Sequence, residues 1–230
     1  MTLKVGINGF GRIGRMILRS IIEQNRKDLE VVAINNKSNA ETSSFLLAND
    51  TIHGKLKSKI SHSEKAINID GKKINMIQEN EISKIDWKKY KVNVVLECTG
   101  KFNTKEKSSQ HINSGANKVI VSAPCKGAKN IIFGVNEKNL KSSDQVISAA
   151  SCTTNCLAPV AQVLNEDFGI ERGFMTTIHS YTADQRLLDN SHKDLRRARS
   201  APNSIIPTTT GSTKSLSDLI PDLKGKSEGL

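Results

Sequence analysis

No stretch of this sequence approaches the roughly 18 consecutive apolar residues that a bilayer-spanning helix needs, so nothing in it reads as a membrane span. The N-terminus lacks a basic segment followed by an apolar run and a small-residue cleavage site; Met1-Thr2-Leu3-Lys4-Val5-Gly6 leads directly into a strand pattern. The expectation is a cytoplasmic protein without a secretory leader. Cysteine is scarce and irregularly placed, at Cys98, Cys125, Cys152 and Cys156. That excludes a disulfide framework and leaves room for a reactive thiolate in a reducing compartment. The cysteines and histidines supply no second ligand pair beside Cys152 and Cys156, so no metal site is expected. Internal repeats and low-complexity tracts are absent as well.

What is present suits a folded chain with a real core. Hydrophobic residues make up 37% and charged residues 25%, too much apolar material for a disordered chain. A length of 230 residues suggests one to two domains. The formal net charge is +11, from 34 Lys and Arg against 23 Asp and Glu, with a pI near 9.5. The lysines are scattered rather than massed, which argues against a nucleic-acid-binding module as the main function. A soluble enzyme acting on phosphorylated anions accounts for the charge equally well.

Strand-like and helix-like stretches alternate over the first 150 residues. Leu3–Asn8 and Val31–Asn35 are short β-branched runs, and Arg12–Gln24 between them has Ile13, Ile17 and Ile21 at helical spacing. Val92–Cys98, Lys118–Ser122, Ile131–Val135 and Val146–Ala149 are further strand candidates, and His111–Lys118 reads as the end of a helix. Such alternation predicts α/β architecture, a parallel sheet with crossover helices. Residues 52–80 differ: they are lysine-rich, alternate polar with apolar, and hold an Asp70-Gly71 turn, which predicts a small antiparallel insertion. A domain boundary is expected near Ala149–Cys152, giving a nucleotide-binding domain over 1–150 and a second domain from 151 onward. There, Leu157, Val160, Ala161, Leu164 and Phe168 predict one face of a helix closed by Gly169, with Pro159 awkwardly inside it. A strand over Phe174–His179, a long polar loop over Ser180–Asn203 and a helix near Ser212–Ile220 follow.

Strand Leu3–Asn8 runs into Gly9-Phe10-Gly11-Arg12-Ile13-Gly14, a G-x-G-x-x-G turn. The first glycine permits the tight turn, the second lets backbone approach a pyrophosphate, and the third lets the helix sit close on the strand. The helix start then offers its N–H groups to phosphates. Alone the motif is weak; between a strand and a helix it points to a dinucleotide. The acid expected about twenty residues on, to hold the ribose, is missing: the chain has Asn35-Asn36-Lys37-Ser38.

Ser151-Cys152-Thr153-Thr154-Asn155-Cys156 follows a strand and opens a helix, a place where positive partial charge favours a thiolate. Cys156 is expected to lie hidden one turn behind Cys152. His179, at the end of the next strand, is the candidate to exchange protons with that thiol. His53, His62, His111 and His192 are read as structural.

These segments together resemble the phosphorylating glyceraldehyde-3-phosphate dehydrogenase family. GINGFGRIGR at Gly6–Arg15, SCTTNCLAP at Ser151–Pro159, TTIHSYTADQR at Thr176–Arg186, SHKDLRRAR at Ser191–Arg199 and IIPTTTG at Ile205–Gly211 carry the likeness, in the family's order. The resemblance implies a Rossmann-like domain followed by an incomplete α+β catalytic domain. It implies oxidation of glyceraldehyde 3-phosphate with NAD or NADP and inorganic phosphate, in a homotetramer. By position, Cys152 and His179 are the catalytic pair. Ser151, Thr153, Arg199, Thr210 and Gly211 resemble the pocket for the attacking phosphate, and Thr182 with Asp184 the pocket for the substrate's own phosphate. Gly9, Gly11, Arg12, Ile13, Gly14, Asn36, Thr99, Ser122 and Ser191 fall at cofactor positions. Asn36 and Ser191 depart from the NAD-specific pattern, which implies use of both cofactors. In the family a phosphate-binding arginine follows the Lys224-Gly225-Lys226 segment, and the sequence stops at Leu230; the likeness therefore implies the N-terminal two-thirds of such an enzyme. Rival readings are an erythrose-4-phosphate dehydrogenase, a cofactor-free Cys-His hydrolase and a basic nucleic-acid-binding module.

Overall fold

Over the first 150 residues, short β-branched runs become strands and amphipathic stretches become crossover helices in the computed structural model, which describes residues 2–229. Strand β1 (Leu3–Asn8), helix α1 (Arg12–Glu23) and strand β2 (Leu29–Asn35) come first, with β1 and β2 parallel. Helix α2 (Ala40–Ala48) is capped by Asn39, whose side chain accepts from the Thr42 N–H. The two-residue strands β3 (Asn49–Asp50) and β4 (Gly54–Lys55) pair with each other. An antiparallel meander follows: β5 (Ile60–Ser63), β6 (Ala66–Ile69) and β7 (Lys72–Ile77). Then come β8 (Val94–Glu97), the short helices α3 (Lys105–Ser108) and α4 (Gln110–Asn113), β9 (Lys118–Val121), β10 (Lys129–Asn130) and β11 (Val146–Ser148).

One nine-stranded sheet results, in the order β10-β11-β9-β8-β1-β2-β7-β6-β5. From β10 across to β7 every neighbour is parallel. Interior strands of a parallel sheet are covered on both faces, so β1 and β2 are apolar at consecutive positions. Val5, Ile7, Phe10, Leu18, Ile34 and Leu47 share one buried cluster, and Ala33, Ile85, Trp87 and Val95 a second. Each large apolar side chain so buried contributes about 1.5–3 kcal/mol.

The expected insertion over 52–80 is continuous with the main sheet, because β7 lies parallel to β2 with Ala33 opposite Asn75. Its turn is built as the dipeptide suggests: Asp70 and Gly71 both take left-handed backbone (φ 49° and 83°), as a two-residue type I′ hairpin requires. Ile131–Val135, expected as a strand, is a turn. Ile132 N–H donates to Asn136 Oδ1, Val135 N–H donates to the Ile132 carbonyl, and Gly134 has φ 81°. Local side-chain bonding there overrides β propensity. In α1 the buried residues are Gly14, Leu18 and Arg19, while Ile13 stays 50% exposed.

The chain divides into two compact units between Ala150 and Ser151. The second holds α5 (Cys152–Phe168), β12 (Gly173–Met175), α6 (Ser212–Leu219) and β13 (Ser227–Gly229), with β12 and β13 parallel. Helix α5 continues through Pro159, and Gly169 closes it with φ 73°. The face expected to bury α5 does not do so: Ala161 is covered, but Val160, Leu164 and Phe168 are exposed. The strand expected over Phe174–His179 ends at Met175. Among the described residues, no helix is long and apolar enough to cross a membrane.

Candidate active site

The glycine turn occupies the carboxyl end of β1, next to β8 on one side and β2 on the other. Gly9 has φ 93°, and a Cβ there would meet the Thr99 backbone nitrogen at 2.7 Å. A Cβ on Gly14 would overlap the Gly9 carbonyl oxygen, so helix and strand touch at that point. Gly11 is the opposite case, with open space where its Cβ would stand. Gly11 caps α1 without any side-chain bond to the first-turn N–H groups, and no acidic residue lies in that turn. Open space at Gly11 beside a helix start without a side-chain cap fits the pyrophosphate of a dinucleotide.

The Arg12 guanidinium pairs with Asp50, so this residue offers backbone rather than side chain to a ligand. Asn36 reaches the turn, its Oδ1 accepting from the Phe10 N–H at 3.4 Å. Ser122 N–H donates to the Glu97 carbonyl at 3.0 Å, and Thr99 is held by the Glu97 side chain. Ser191 belongs to the second unit, where its carbonyl accepts two bonds from Arg186.

In that second unit Ser151 caps α5, its Oγ accepting from the Thr154 N–H at 3.0 Å. The cap places Cys152 at the first helical position, where orphan N–H groups and the helix dipole favour negative charge. His179 Nε2 lies 3.1 Å from Cys152 Sγ. Nδ1 of the same ring is 2.6 Å from the Ser180 carbonyl oxygen. A carbonyl only accepts, so Nδ1 carries the proton and Nε2 is free to take one from the thiol. Burial pushes the Cys152 thiol up, but the hydrogen bond and charge of His179, with bonds to Thr153, outweigh it and leave the thiol below its ordinary value. The Ser180 carbonyl first, and then Cys152, raise His179. Both shifts favour a thiolate–imidazolium pair.

The other cysteines contrast with this. Burial drives Cys98 up to about 11 and also raises Cys125. Cys156 is exposed rather than hidden behind Cys152. Among the described residues, no group of three or more His, Cys, Asp or Glu side chains could hold a metal.

Hydroxyls gather at the start of α5. Ser151 Oγ lies 2.7 Å from Thr154 Oγ1 and 3.4 Å from Ser212 Oγ, and Thr210 Oγ1 donates to Ser212 Oγ at 3.0 Å. Ser212 thus joins Ser151 to Thr210, while Gly211 caps α6 without a side-chain bond. On the loop, the Asp184 N–H donates to Thr182 Oγ1, and the Asp184 carboxylate pairs with Arg197. Arg197 also donates to Thr208 Oγ1 at 2.9 and 3.1 Å. Arg199 pairs instead with Asp189, its side chain 77% exposed. Arg197 and Ser212, which join these clusters in the structure, carry no mark in the sequence. Three arginines lie within Arg196–Arg199, and nothing in their order marks the one that turns toward Asp184.

Comparison with known proteins adds to this geometry. Models of the NAD binding domain and the C-terminal domain of glyceraldehyde 3-phosphate dehydrogenase match residues 3–105 and 151–230. The glyceraldehyde-3-phosphate dehydrogenase of Cereibacter sphaeroides is 49% identical over 231 residues, spanning 100% of this chain and 69% of that protein. That of Streptomyces coelicolor is 50% identical over 232 residues, with the same two shares. Glyceraldehyde-3-phosphate dehydrogenase 2 of Bacillus subtilis is 50% identical over 232 residues, 100% of this chain and 68% of that protein.

Proposed function

The chain belongs to the glyceraldehyde-3-phosphate dehydrogenase family, and on that premise we propose that it oxidises glyceraldehyde 3-phosphate with inorganic phosphate to 1,3-bisphosphoglycerate through a thioester on Cys152. The observation that carries this is the Cys152–His179 pair at the start of α5. Cys152 thiolate attacks the aldehyde carbon while His179 holds the proton and faces the developing oxyanion. A bound nicotinamide dinucleotide supplies the hydride acceptor. Phosphate then cleaves the thioester, releasing the acyl phosphate and returning the thiolate.

Ser151, Thr153, Thr210 and Gly211 are assigned to the attacking phosphate, a role supported by hydroxyls and helix starts gathered beside Cys152. Arg199 is kept with them from the resemblance. Thr182, Asp184 and, from the geometry, Arg197 are assigned to the substrate's phosphate, where an arginine fork suits a tetrahedral dianion. Gly9, Gly11, Arg12, Ile13, Gly14, Asn36, Thr99 and Ser122 form the cofactor site of residues 1–150, and residues 151–230 are the first part of the catalytic domain. Asn36 carries no charge to repel a 2′-phosphate, so the enzyme uses NADP as well as NAD. The loop over 181–203 exposes Leu187, Leu188 and Leu195, which supports a homotetramer in which a neighbouring subunit covers it and meets Ser191.

Absorbance at the reduced-nicotinamide band, with glyceraldehyde 3-phosphate, each cofactor, and phosphate or arsenate, tests the reading. In a protein carrying the complete catalytic domain, reduction that disappears in Cys152→Ser supports it; reduction that survives that change, or none in the wild type, refutes it.

A further inference from the structure

Beneath the glycine turn lies a set of buried polar side chains that the proposed chemistry does not use. Asn8 closes β1 and Glu97 closes β8; they are 2% and 1% exposed, and His111 of α4 is fully buried. Glu97 Oε1 accepts from both the N–H and the hydroxyl of Thr99. Its Oε2 accepts from Asn8 Nδ2 and lies 3.0 Å from His111 Nε2.

The donor directions in this network are fixed from both ends. Trp87 Nε1 lies 2.9 Å from His111 Nδ1, and an indole N–H can only donate. His111 Nδ1 is therefore the acceptor, and the ring proton sits on Nε2, aimed at Glu97. From the other end, the Glu79 N–H donates to Asn35 Oδ1 at 2.8 Å. That sets the Asn35 amide so that its Nδ2 donates to Asn8 Oδ1 at 2.7 Å, which in turn aims Asn8 Nδ2 at Glu97. Two chains of donors, one begun by an indole and one by a backbone N–H, terminate on a single carboxylate. An amide at residue 97 would present an N–H to donors on one side or the other, and a buried donor without an acceptor is costly.

Asn8 and Thr99 are the residues on either side of Gly9: Asn8 precedes it in the chain, and the Thr99 backbone and methyl are what a Gly9 Cβ would strike. We propose that Glu97 is a positioning residue for the dinucleotide site, the common acceptor that locks Asn8 and Thr99 and so holds the Gly9 turn in ligand-ready form. The inference rests on the cofactor site assigned above. It also accounts for Thr99, whose hydroxyl is committed to Glu97 and which therefore serves the groove as a wall.

The test measures NAD affinity of the full chain by calorimetry and, without ligand, amide exchange of Thr99 and Gly9–Gly14. Glu97→Gln keeps the size of the side chain and breaks the acceptor set, and should weaken NAD by about tenfold, with faster exchange at those amides. Trp87→Phe releases only the far end, so it should lower the melting temperature yet keep NAD affinity within about twofold. Thr99→Val keeps the methyl toward Gly9 and removes one bond to Glu97; it should weaken NAD about threefold, a smaller effect than the amide swap, even if Glu97→Gln does not fold. Unchanged affinity and exchange in Glu97→Gln or Thr99→Val would overturn the proposal. So would an equal loss of affinity in Trp87→Phe, which would reduce the network to packing. A wild-type chain that does not bind NAD would sink the site assignment instead, leaving the exchange measurement to judge the lock by itself.

Discussion

Gly14→Ala is a test of why the helix lies where it does. The added Cβ would overlap the Gly9 carbonyl oxygen and stand 3.2 Å from Ile7 Cγ2. The nearest neighbour is backbone of the tight turn, which cannot rotate away as a side-chain tip would. Overpacking of this kind typically costs about 1–3 kcal/mol, and an immovable neighbour places it near 3. Alanine in a helix recovers about 1 kcal/mol over glycine, leaving a net loss near 2. At roughly 2–4 °C per kcal/mol for domains of 150–250 residues, the melting temperature should fall by about 4–8 °C. Fluorescence of Trp87, the one tryptophan and a fully buried residue of the first unit, reports that unfolding directly. Gly11→Ala is the control, because its Cβ meets open space. As the N-cap of α1 it should lose no more than about 1 kcal/mol, about half the loss of Gly14→Ala, yet weaken NAD about tenfold by filling the space beside the helix start. A Gly14→Ala chain as stable as wild type would show that α1 does not depend on that close approach.

His179→Asn should slow alkylation of Cys152 at neutral pH by on the order of 10²-fold or more. Its pH profile should move upward, because His179 is what holds the thiol below its ordinary value; an unmoved profile would separate the two residues. Cys152→Ser should abolish turnover while NAD still binds, whereas Cys156→Ser, at an exposed site one turn further on, should stay within a few-fold of wild type. Equal inactivation by both would point to a shared metal or disulfide role. Asn36→Asp restores a carboxylate where Oδ1 now accepts from Phe10 N–H. It should shift the NAD-to-NADP ratio of kcat/KM about tenfold toward NAD, or 1.4 kcal/mol; an unchanged ratio would remove Asn36 from cofactor choice.

The parallel strands were legible because burial on both faces leaves an unbroken apolar run, and β1, β2 and β9 fall within two residues of the expected bounds. The Asp70-Gly71 hairpin was legible from turn chemistry alone. Ile131–Val135 misled, since the Asn136 side chain that bends it sits outside the apolar run. The strand to His179 was overread: Thr176–His179 has strand composition, but β12 pairs with β13 only through Met175. Cys152 and His179 were singled out by motif, whereas their 3.1 Å approach needed the fold. Glu97 was invisible in Val-Val-Leu-Glu because its four donors come from β1, α4 and the turn after β8, and no local pattern gathers them.

An open sheet ends in two rows of unpaired N–H and C=O groups, each a template for a passing chain. Here one edge strand, β10, is only two residues long, and its Lys129 is engaged with Asp144. The other, β5, shows Ser61, His62 and Ser63 to solvent, with Lys57, Lys59 and Lys65 close by in sequence. Brevity guards one end and charge the other, so the lysines that give this chain its basic surplus also discourage stacking of sheets into fibres. Removing the positive charge around β5 should therefore be felt first as aggregation on refolding, long before it is felt as a loss of native stability.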